Sequence, residues 1–443
     1  MASAQQVVVH DDDEATSPRQ VVPAGTIAGS ADAGSADAAA ADTAAPATAD
    51  ADAAKPASWP VVVATSAVMG LVFGLAFSKS RVFEPANIRA QFLFERFVML
   101  KMFMGAMGTG AVCLSFLARR DPAAFARARA LWKGSMAPNG LLTSAALGGV
   151  LLGVGMAIAG ACPGMVLAQI GAGVPKSGLT LAGGVAGALV FGLAQPWLKP
   201  RLLSRGVRSE RYALLDDHPK MARFSYPNVA LGMGVACLGF AVVLEILFPW
   251  KEDLDGGALL FPVRYNPPGC NWFTECRAWV PTIGGVLIGA LQVPALLCLN
   301  TFLGSATSYQ IVAACACAPH VTLGKGTEKS FLDYMKLFAS PNPLAWWQLS
   351  FVCFAILGAL GMEELVDDYG LTPGVPDVAS ALAGGFLMLL GSRLGAGCTS
   401  GHGITGCVIL LLNSWVAVPC MFGGGIAYAV VAQYGATDKT WFA

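Results

Sequence analysis

The chain has 443 residues, of which 55% are hydrophobic and 13% charged, and its formal net charge is zero. Soluble domains carry about a quarter of their residues as charges, so this composition predicts a protein that lies mostly in lipid. The neutral balance, with no basic stripe interleaved with aromatic residues, excludes nucleic acid as a partner.

The N-terminal segment, residues 1–57, is rich in Ala, Asp, Thr, Ser and Pro and carries HDDDE near its start. It has no apolar run that would suit a secretory signal, and its aspartates are atypical of transit peptides. A segment with so little to bury cannot form a core, so we expect a disordered acidic and Ala-rich tail.

Nine apolar segments after this tail are long enough to cross a membrane, which takes about 20 mostly apolar residues. Four shorter apolar stretches follow glycine, proline or polar breaks and predict re-entrant helices, which need protein or water around their backbone. The predicted spans are 60–77, 98–118, 140–160, 178–197, 228–249, 280–299, 344–362, 378–395 and 414–433, and the short stretches are 83–95, 162–172, 301–317 and 399–413.

Two similar segments indicate an internal repeat: GMAIAGAC at Gly155–Cys162 and GSRLGAGC at Gly391–Cys398. Each follows an apolar span and precedes a helix-breaking cluster, and such paired interruptions are typical of duplicated transporters. Four predicted spans lie before 228–249 and four after it, so the second half starts on the opposite side of the membrane.

We therefore expect an all-α polytopic membrane protein with about nine transmembrane helices, short re-entrant helices and an inverted internal repeat. The expected divisions of the chain are a tail at 1–57, a first half at 58–200, a connecting helix and loops at 201–275, a second half at 276–435 and a C-terminal tail at 436–443.

The loops on the N-terminal side of the membrane carry more Lys and Arg, including RRDPAAFARARALWK and KPRLLSRGVRSERY. By the positive-inside rule this places the N-terminus in the cytoplasm, and we expect the plasma membrane. Cys270 and Cys276 then lie in an outer polar loop, and the sequence leaves open whether they form a disulfide.

The two glycine-cysteine breaks are the predicted substrate path. Helix ends at membrane depth offer free N–H groups and a positive dipole end to an anion, and a neutral thiol is a weak donor that does not repel one. The alternative is that the glycines only allow close helix crossings and the cysteines pack there. The expected path residues are Cys162, Gly164, Cys398, Thr399, Ser400, Gly401 and His402.

Two of the polar residues near the second break have open roles. His402 is predicted either to gate, contact substrate or carry a proton, or simply to cap and pack. Arg393, inside a predicted span, is expected to attract an anion or to pair with an acidic residue of the preceding loop, namely Glu363, Glu364, Asp367 or Asp368.

No catalytic or nucleotide-binding motif is present, so we expect neither an enzyme nor a cofactor. Cys315, Cys317 and His320 form a small cluster that lacks a complete tetrahedral set, so no metal is expected there. The alternative function is a membrane thiol protein that relays sulfur or electrons to a partner. It would need a cation near a reactive cysteine, and Arg393 and His402 are the local choices.

The segments GSRLGAGCTSGHGITG and GMAIAGACPGM resemble the YeeE/YedE sulfur-transport family, and the resemblance covers roughly residues 60–435. It implies two related halves that move thiosulfate along a narrow central path, in which thiols pass the anion by weak S–H contacts. By motif match this role falls to Cys162 and Cys398.

Bacterial members of that family commonly carry a further cysteine after the first span, where this chain has Val82, Phe83 and Glu84. The corresponding segment of the second half, LGSATSYQIVAACAC, has thiols only at Cys315 and Cys317. The resemblance implies a transporter or channel whose partners are the lipid bilayer and a small sulfur-containing anion, most of all thiosulfate; a protein partner is not identified.

Overall fold

The computed structural model of the chain describes residues 58–136, 142–205, 214–218, 220, 223–255, 266, 269–272, 275–323, 343–365 and 374–435. The tails expected at 1–57 and 436–443 lie outside these residues. Within the described ranges the regular structure is helical apart from one isolated bridge between Leu214 and Leu411, which confirms the all-α fold.

The described part contains fifteen α-helices, one 3₁₀ turn and one π-helix. They are α1 (Trp59–Lys79), α2 (Pro85–Phe92), α3 (Val98–Arg120), α4 (Pro122–Met136), α5 (Leu142–Ala159), α6 (Met165–Gly171), α7 (Ser177–Arg205), the 3₁₀ turn (Leu215–Asp217), α8 (Tyr226–Leu247), α9 (Trp250–Asp255), α10 (Pro281–Ala290), α11 (Gln292–Leu299), α12 (Thr307–Leu323), α13 (Pro343–Leu365), α14 (Val378–Leu394), the π-helix (Ser400–Gly406) and α15 (Leu412–Gly435).

Every predicted span lies on an apolar helix. Seven are long and apolar enough to cross a membrane: α1, α3, α5, α7, α8, α10 with α11, and α15. The other two lie on α13 and α14, whose apolar parts are shorter. The four predicted re-entrant stretches fall on α2, α6, α12 and the π-helix. The predicted polytopic fold is confirmed.

Helix contacts between the two halves form equivalent pairs. Helix α1 of the first half packs on α13 of the second, and α10 of the second half packs on α3 of the first. Similarly, α5 packs on α15 and α7 on α14, while α5 and α14 contact each other. Exchanging α1 with α10, α3 with α13, α5 with α14 and α7 with α15 reproduces the same set of contacts, as a duplicated half predicts.

Chain reversals also recur at equivalent places. Left-handed backbone is uncommon at residues other than glycine. Here it occurs at three equivalent places in each half: after the first span, just before the central cysteine, and at the end of the short segment that follows this cysteine. The pairs are Arg81 and Asn300 (φ 56° and 50°), Gly160 and Ala396 (φ 62° and 63°), and Lys176 and Leu410 (φ 66° and 62°).

Close backbone approach explains the glycines of α5. A Cβ on Gly153 would overlap the carbonyl oxygen of Met421 on α15, and one on Gly155 would lie 2.7 Å from Cα of Met388 on α14. Small residues allow membrane helices to approach in this way. The breaks that follow α5 and α14 are therefore held at one place in the fold.

The polar loop before α10 contains a Cys270–Cys276 disulfide, a point that the sequence left open. Lys79 at the end of α1 donates from Nζ to the Cys276 carbonyl over 2.6 Å. In return, the Trp279 amide donates to the Lys79 carbonyl over 2.6 Å. The loop is thus fastened to the end of the first span.

Asp377 caps α14 and gives a testable pH dependence. Its carboxylate accepts from the Ser380 hydroxyl (2.6 Å) and the Ser380 amide (2.7 Å), and these hydrogen bonds hold the pKa of Asp377 below its usual range. Because the folded pKa is depressed, the stabilisation is present above the unfolded pKa of about 4 and is lost as pH falls through the folded value. We expect Asp377→Ala to cost about 1 kcal/mol at pH 7 and Asp377→Asn less, measured as the unfolding temperature in detergent. Equal unfolding temperatures for all three proteins would contradict the cap.

Candidate substrate path

The two predicted breaks meet around one small cavity. Cys162 and Gly164 from the first half line it together with Thr399 and Ser400 from the second. These residues come together because α5 and α14, which deliver the two breaks, pack against each other. Of the predicted path residues, the structure therefore brings four to a common space.

The cavity holds a space of about 20 Å³, enough for about one water molecule. An anion of several heavy atoms does not fit in this space. If a substrate passes here, the residues that line the cavity have to move.

Side chains from neighbouring segments hold the first break. The Cys162 carbonyl accepts from the amides of Met165 (2.9 Å) and Val166 (3.1 Å), which starts α6. The Tyr309 hydroxyl donates to the Pro163 carbonyl over 2.7 Å. Gln169 Nε2 donates to the Gly160 carbonyl over 2.9 Å. Buried carbonyls in a broken helix need such partners, so this break has a fixed shape.

The second break places its thiol beside two hydroxyls. Cys398 is 1% exposed. Its Sγ lies 3.1 Å from Ser400 Oγ and 3.9 Å from Ser305 Oγ. A Cβ on Gly164 would lie 3.3 Å from the same Ser305 oxygen. Ser305 therefore lies beside both breaks, although it comes from a third segment of the chain.

The Thr399 hydroxyl contacts sulfur. Its oxygen lies 3.3 Å from the thioether sulfur of Met156 on α5 and 3.3 Å from that of Met421 on α15, so its one hydrogen can be donated to either. A thioether is a weak acceptor, so Thr399 lines the cavity with its hydroxyl held only loosely.

Both ring nitrogens of His402 are used within the protein. Nε2 lies 3.0 Å from the Gly395 carbonyl and Nδ1 lies 2.9 Å from Ser414 Oγ. A carbonyl only accepts, so Nε2 carries the proton and Nδ1 accepts from Ser414. His402 ties the π-helix to the end of α14 and the start of α15. These contacts favour the packing and capping interpretation of His402 over a substrate contact.

Arg393 donates from its guanidinium to Gln310 Oε1 on α12. Of the acidic partners considered from the sequence, Asp367, Asp368 and the side chain of Glu363 lie outside the described residues. Arg393 lies on the last turn of α14, five residues before Cys398. The arginine is thus a cation near the second break, as an anion path would use.

Comparison with known proteins now decides the family. A family model described as sulphur transport matches residues 79–427. The chain belongs to the sulphur-transport family. Two similar proteins are each described as a probable transporter: one from Xylella fastidiosa strain Temecula1 is 29% identical over 151 residues, 34% of this chain and 92% of that protein. The other, from strain 9a5c, is 28% identical over the same shares.

Apart from Ile404, the rest of the cavity lining in this sulphur-transport family member is aromatic or thioether. Phe73 and Phe77 come from α1, and Met102 and Phe103 from α3. No signal in the sequence marks them, because they look like ordinary span residues. Phenylalanine edges and methionine sulfur are polarisable surfaces, which suits a soft sulfur-bearing cargo.

The other residues considered from the sequence are the cysteine and histidine cluster after Ser305, and Gly401 in the π-helix. In the described part of the chain no group of three or more His, Cys, Asp or Glu is arranged to hold a metal ion. The side chains of Cys317 and His320 fall outside the described set. Gly401, within the π-helix, is buried.

Proposed function

We propose that the protein is a transporter or channel for a small sulfur-containing anion, in particular thiosulfate, and that Cys162 and Cys398 contact the anion along its path. One observation carries the proposal: breaks from the two halves meet at one buried cavity, with a thiol in each break. The sulphur-transport family and the transporter relatives support the class of cargo and of activity.

The chemistry of the path suits weak, reversible anion binding. Thiols and hydroxyls are neutral donors, so they can contact an anion without the cost of a buried full charge. A conducting site must bind well enough to admit its ion and weakly enough to release it. Hydroxyls flanking a thiol meet this need, as Ser400 and Ser305 flank Cys398.

The relay that we propose has two thiols. At the position where the family resemblance implies a further cysteine, the chain holds a buried ion pair between Arg81 and Glu84. Asn87 donates to Glu84 Oε2 over 3.0 Å and accepts from Arg96 over 2.7 Å. The ion pair and these hydrogen bonds stabilise the backbone between α1 and α2 with buried polar groups.

The domain organisation that we propose is two halves, 58–200 and 276–435, joined by 201–275. The Xylella relatives support it, because each matches over 151 residues, close to one half, while covering 92% of its own length. We also propose a plasma-membrane location with a cytoplasmic N-terminus. The Cys270–Cys276 disulfide supports an outer position for its loop, since disulfides persist on oxidising sides.

The test is uptake of radiolabelled thiosulfate into cells that lack their own carriers. We expect uptake by the wild type and at least a tenfold loss in Cys162→Ala and in Cys398→Ala at matched expression. The control is Cys353→Ala, because Cys353 is an exposed cysteine on α13 away from the cavity lining; it should transport normally.

Three outcomes would contradict parts of the proposal. A well-expressed wild type without uptake would remove thiosulfate as cargo. Uptake that is unchanged in both cysteine variants would keep the cargo and remove the thiols from the path. A covalent persulfide on Cys398, found by mass spectrometry in a protein that transports nothing, would favour the thiol relay to a partner, for which Arg393 supplies the nearby charge.

A further inference from the structure

We propose, building on the proposed function, that Ser305 is a third substrate contact of the path and helps it to select oxyanions that carry a terminal sulfur atom. The residue lies just before α12, in the segment that follows the first span of the second half. It is 1% exposed, and it lies in the segment LGSATSYQIVAACAC, where the sequence pointed only to the thiols of Cys315 and Cys317.

The Ser305 hydroxyl lies close to both breaks. Oγ lies 3.9 Å from Cys398 Sγ in the second half. On its other side a Cβ at Gly164 would come within 3.3 Å of the same oxygen. Gly164 itself lines the cavity with Cys162. An anion that moves from one thiol to the other therefore passes this hydroxyl.

The hydrogen bond of this hydroxyl is weak. A buried hydroxyl usually has a strong partner, but Ser305 Oγ faces a sulfur atom at 3.9 Å, where the interaction is long even for sulfur. By contrast, the nearby Ser308 hydroxyl is held by the Ser305 carbonyl at 2.6 Å. Ser305 can therefore turn its O–H to an anion at little cost, whereas Ser308 cannot.

Two hydroxyls and one thiol then form an asymmetric set of donors. Ser305 and Ser400 offer O–H groups on either side of Cys398, which offers S–H. An oxyanion with a terminal sulfur can place its oxygens on the hydroxyls and its sulfur on the softer thiol. Sulfate has the same charge but no such sulfur, so it matches only part of the set.

The experiment compares Ser305→Ala with Ser308→Ala, a matched removal of a hydroxyl three residues away. Uptake is measured over a range of thiosulfate concentrations, with and without excess sulfate. We expect Ser305→Ala to raise KM for thiosulfate at least fivefold and to change inhibition by sulfate, while Ser308→Ala stays within twofold of the wild type.

A second variant tests the same site without relying on transport by an alanine variant. In Ser305→Cys the new thiol and Cys398 should be oxidised to a disulfide by diamide, which is reduced to its hydrazine; the disulfide is detected by mass spectrometry, and thiosulfate should slow its formation. Ser308→Cys, whose side chain points to the backbone, should not cross-link. A wild type that moves no thiosulfate would overturn the proposed function. A working wild type with unchanged KM in Ser305→Ala, or cross-linking indifferent to thiosulfate, would overturn the role of Ser305 alone.

Discussion

Gly403→Ala should reduce anion uptake at least tenfold, and Phe103→Leu in the same chain should restore much of it. A Cβ at Gly403 would overlap the ring of Phe103, and that ring lines the cavity together with Cys162 and Ser400. The space beside the ring is about 20 Å³, so the ring cannot move aside without filling the path. Overpacking of this kind costs about 1–3 kcal/mol.

The control for Gly403→Ala is Gly232→Ala on α8, where an added Cβ meets no atom within 4 Å. That variant should transport like the wild type. In the double variant the smaller leucine side chain relieves the overlap, so rescue is the decisive result. Normal uptake by the single Gly403→Ala variant would contradict this prediction. So would a double variant that is fully expressed but does not recover uptake, because relief of the overlap between Phe103 and residue 403 would then not restore transport.

Glu84→Gln should lower the free energy of unfolding by about 3–5 kcal/mol, the cost of leaving one partner of a buried pair without its counter-charge. Arg81 and Glu84 are 2% and 4% exposed at their side chains. Arg81 Nε donates to Glu84 Oε1 over 2.6 Å. The neutral amide keeps the shape of Glu84 but removes the negative charge that pairs with the guanidinium just before α2.

The unfolding temperature of the purified protein in detergent measures this effect, alongside Glu95→Gln. Glu95 is exposed, so its change should leave the unfolding temperature within a degree or two of the wild type. Replacing both members of the pair by methionine should cost less than Glu84→Gln, because no charge is then left buried. Equal unfolding temperatures for Glu84→Gln and Glu95→Gln would refute a stabilising pair.

The membrane spans and the repeat could be predicted because both depend on local signals. Apolar runs of about 20 residues identify spans, and the breaks at Pro163–Gly164 and Thr399–Gly403 are visible in the sequence. The same signals identified Cys162, Gly164, Thr399 and Ser400, which the fold brings to one cavity.

The other site residues depend on tertiary packing. Ser305 lies beside Gly164, and Tyr309 reaches Pro163, only because the second half packs on the first. Phe73 and Phe103 face the cavity through the rotation of their helices, which an evenly apolar span does not reveal. The sequence could not assign a role to His402, because an imidazole beside a glycine break is equally compatible with capping and with gating. Its two hydrogen-bond partners, Gly395 and Ser414, are visible only in the structure.

The equivalence of helix contacts in the two halves bears on the direction of transport. If the halves are inverted in the membrane, as the sequence predicts, the same packing is presented to both of its faces, and a cargo approaching from either side meets similar surfaces. Such an architecture has little intrinsic preference for import or export. On the proposed function, net accumulation of the anion then requires a driving force outside the protein, such as its electrochemical gradient or reactions that remove it on the receiving side.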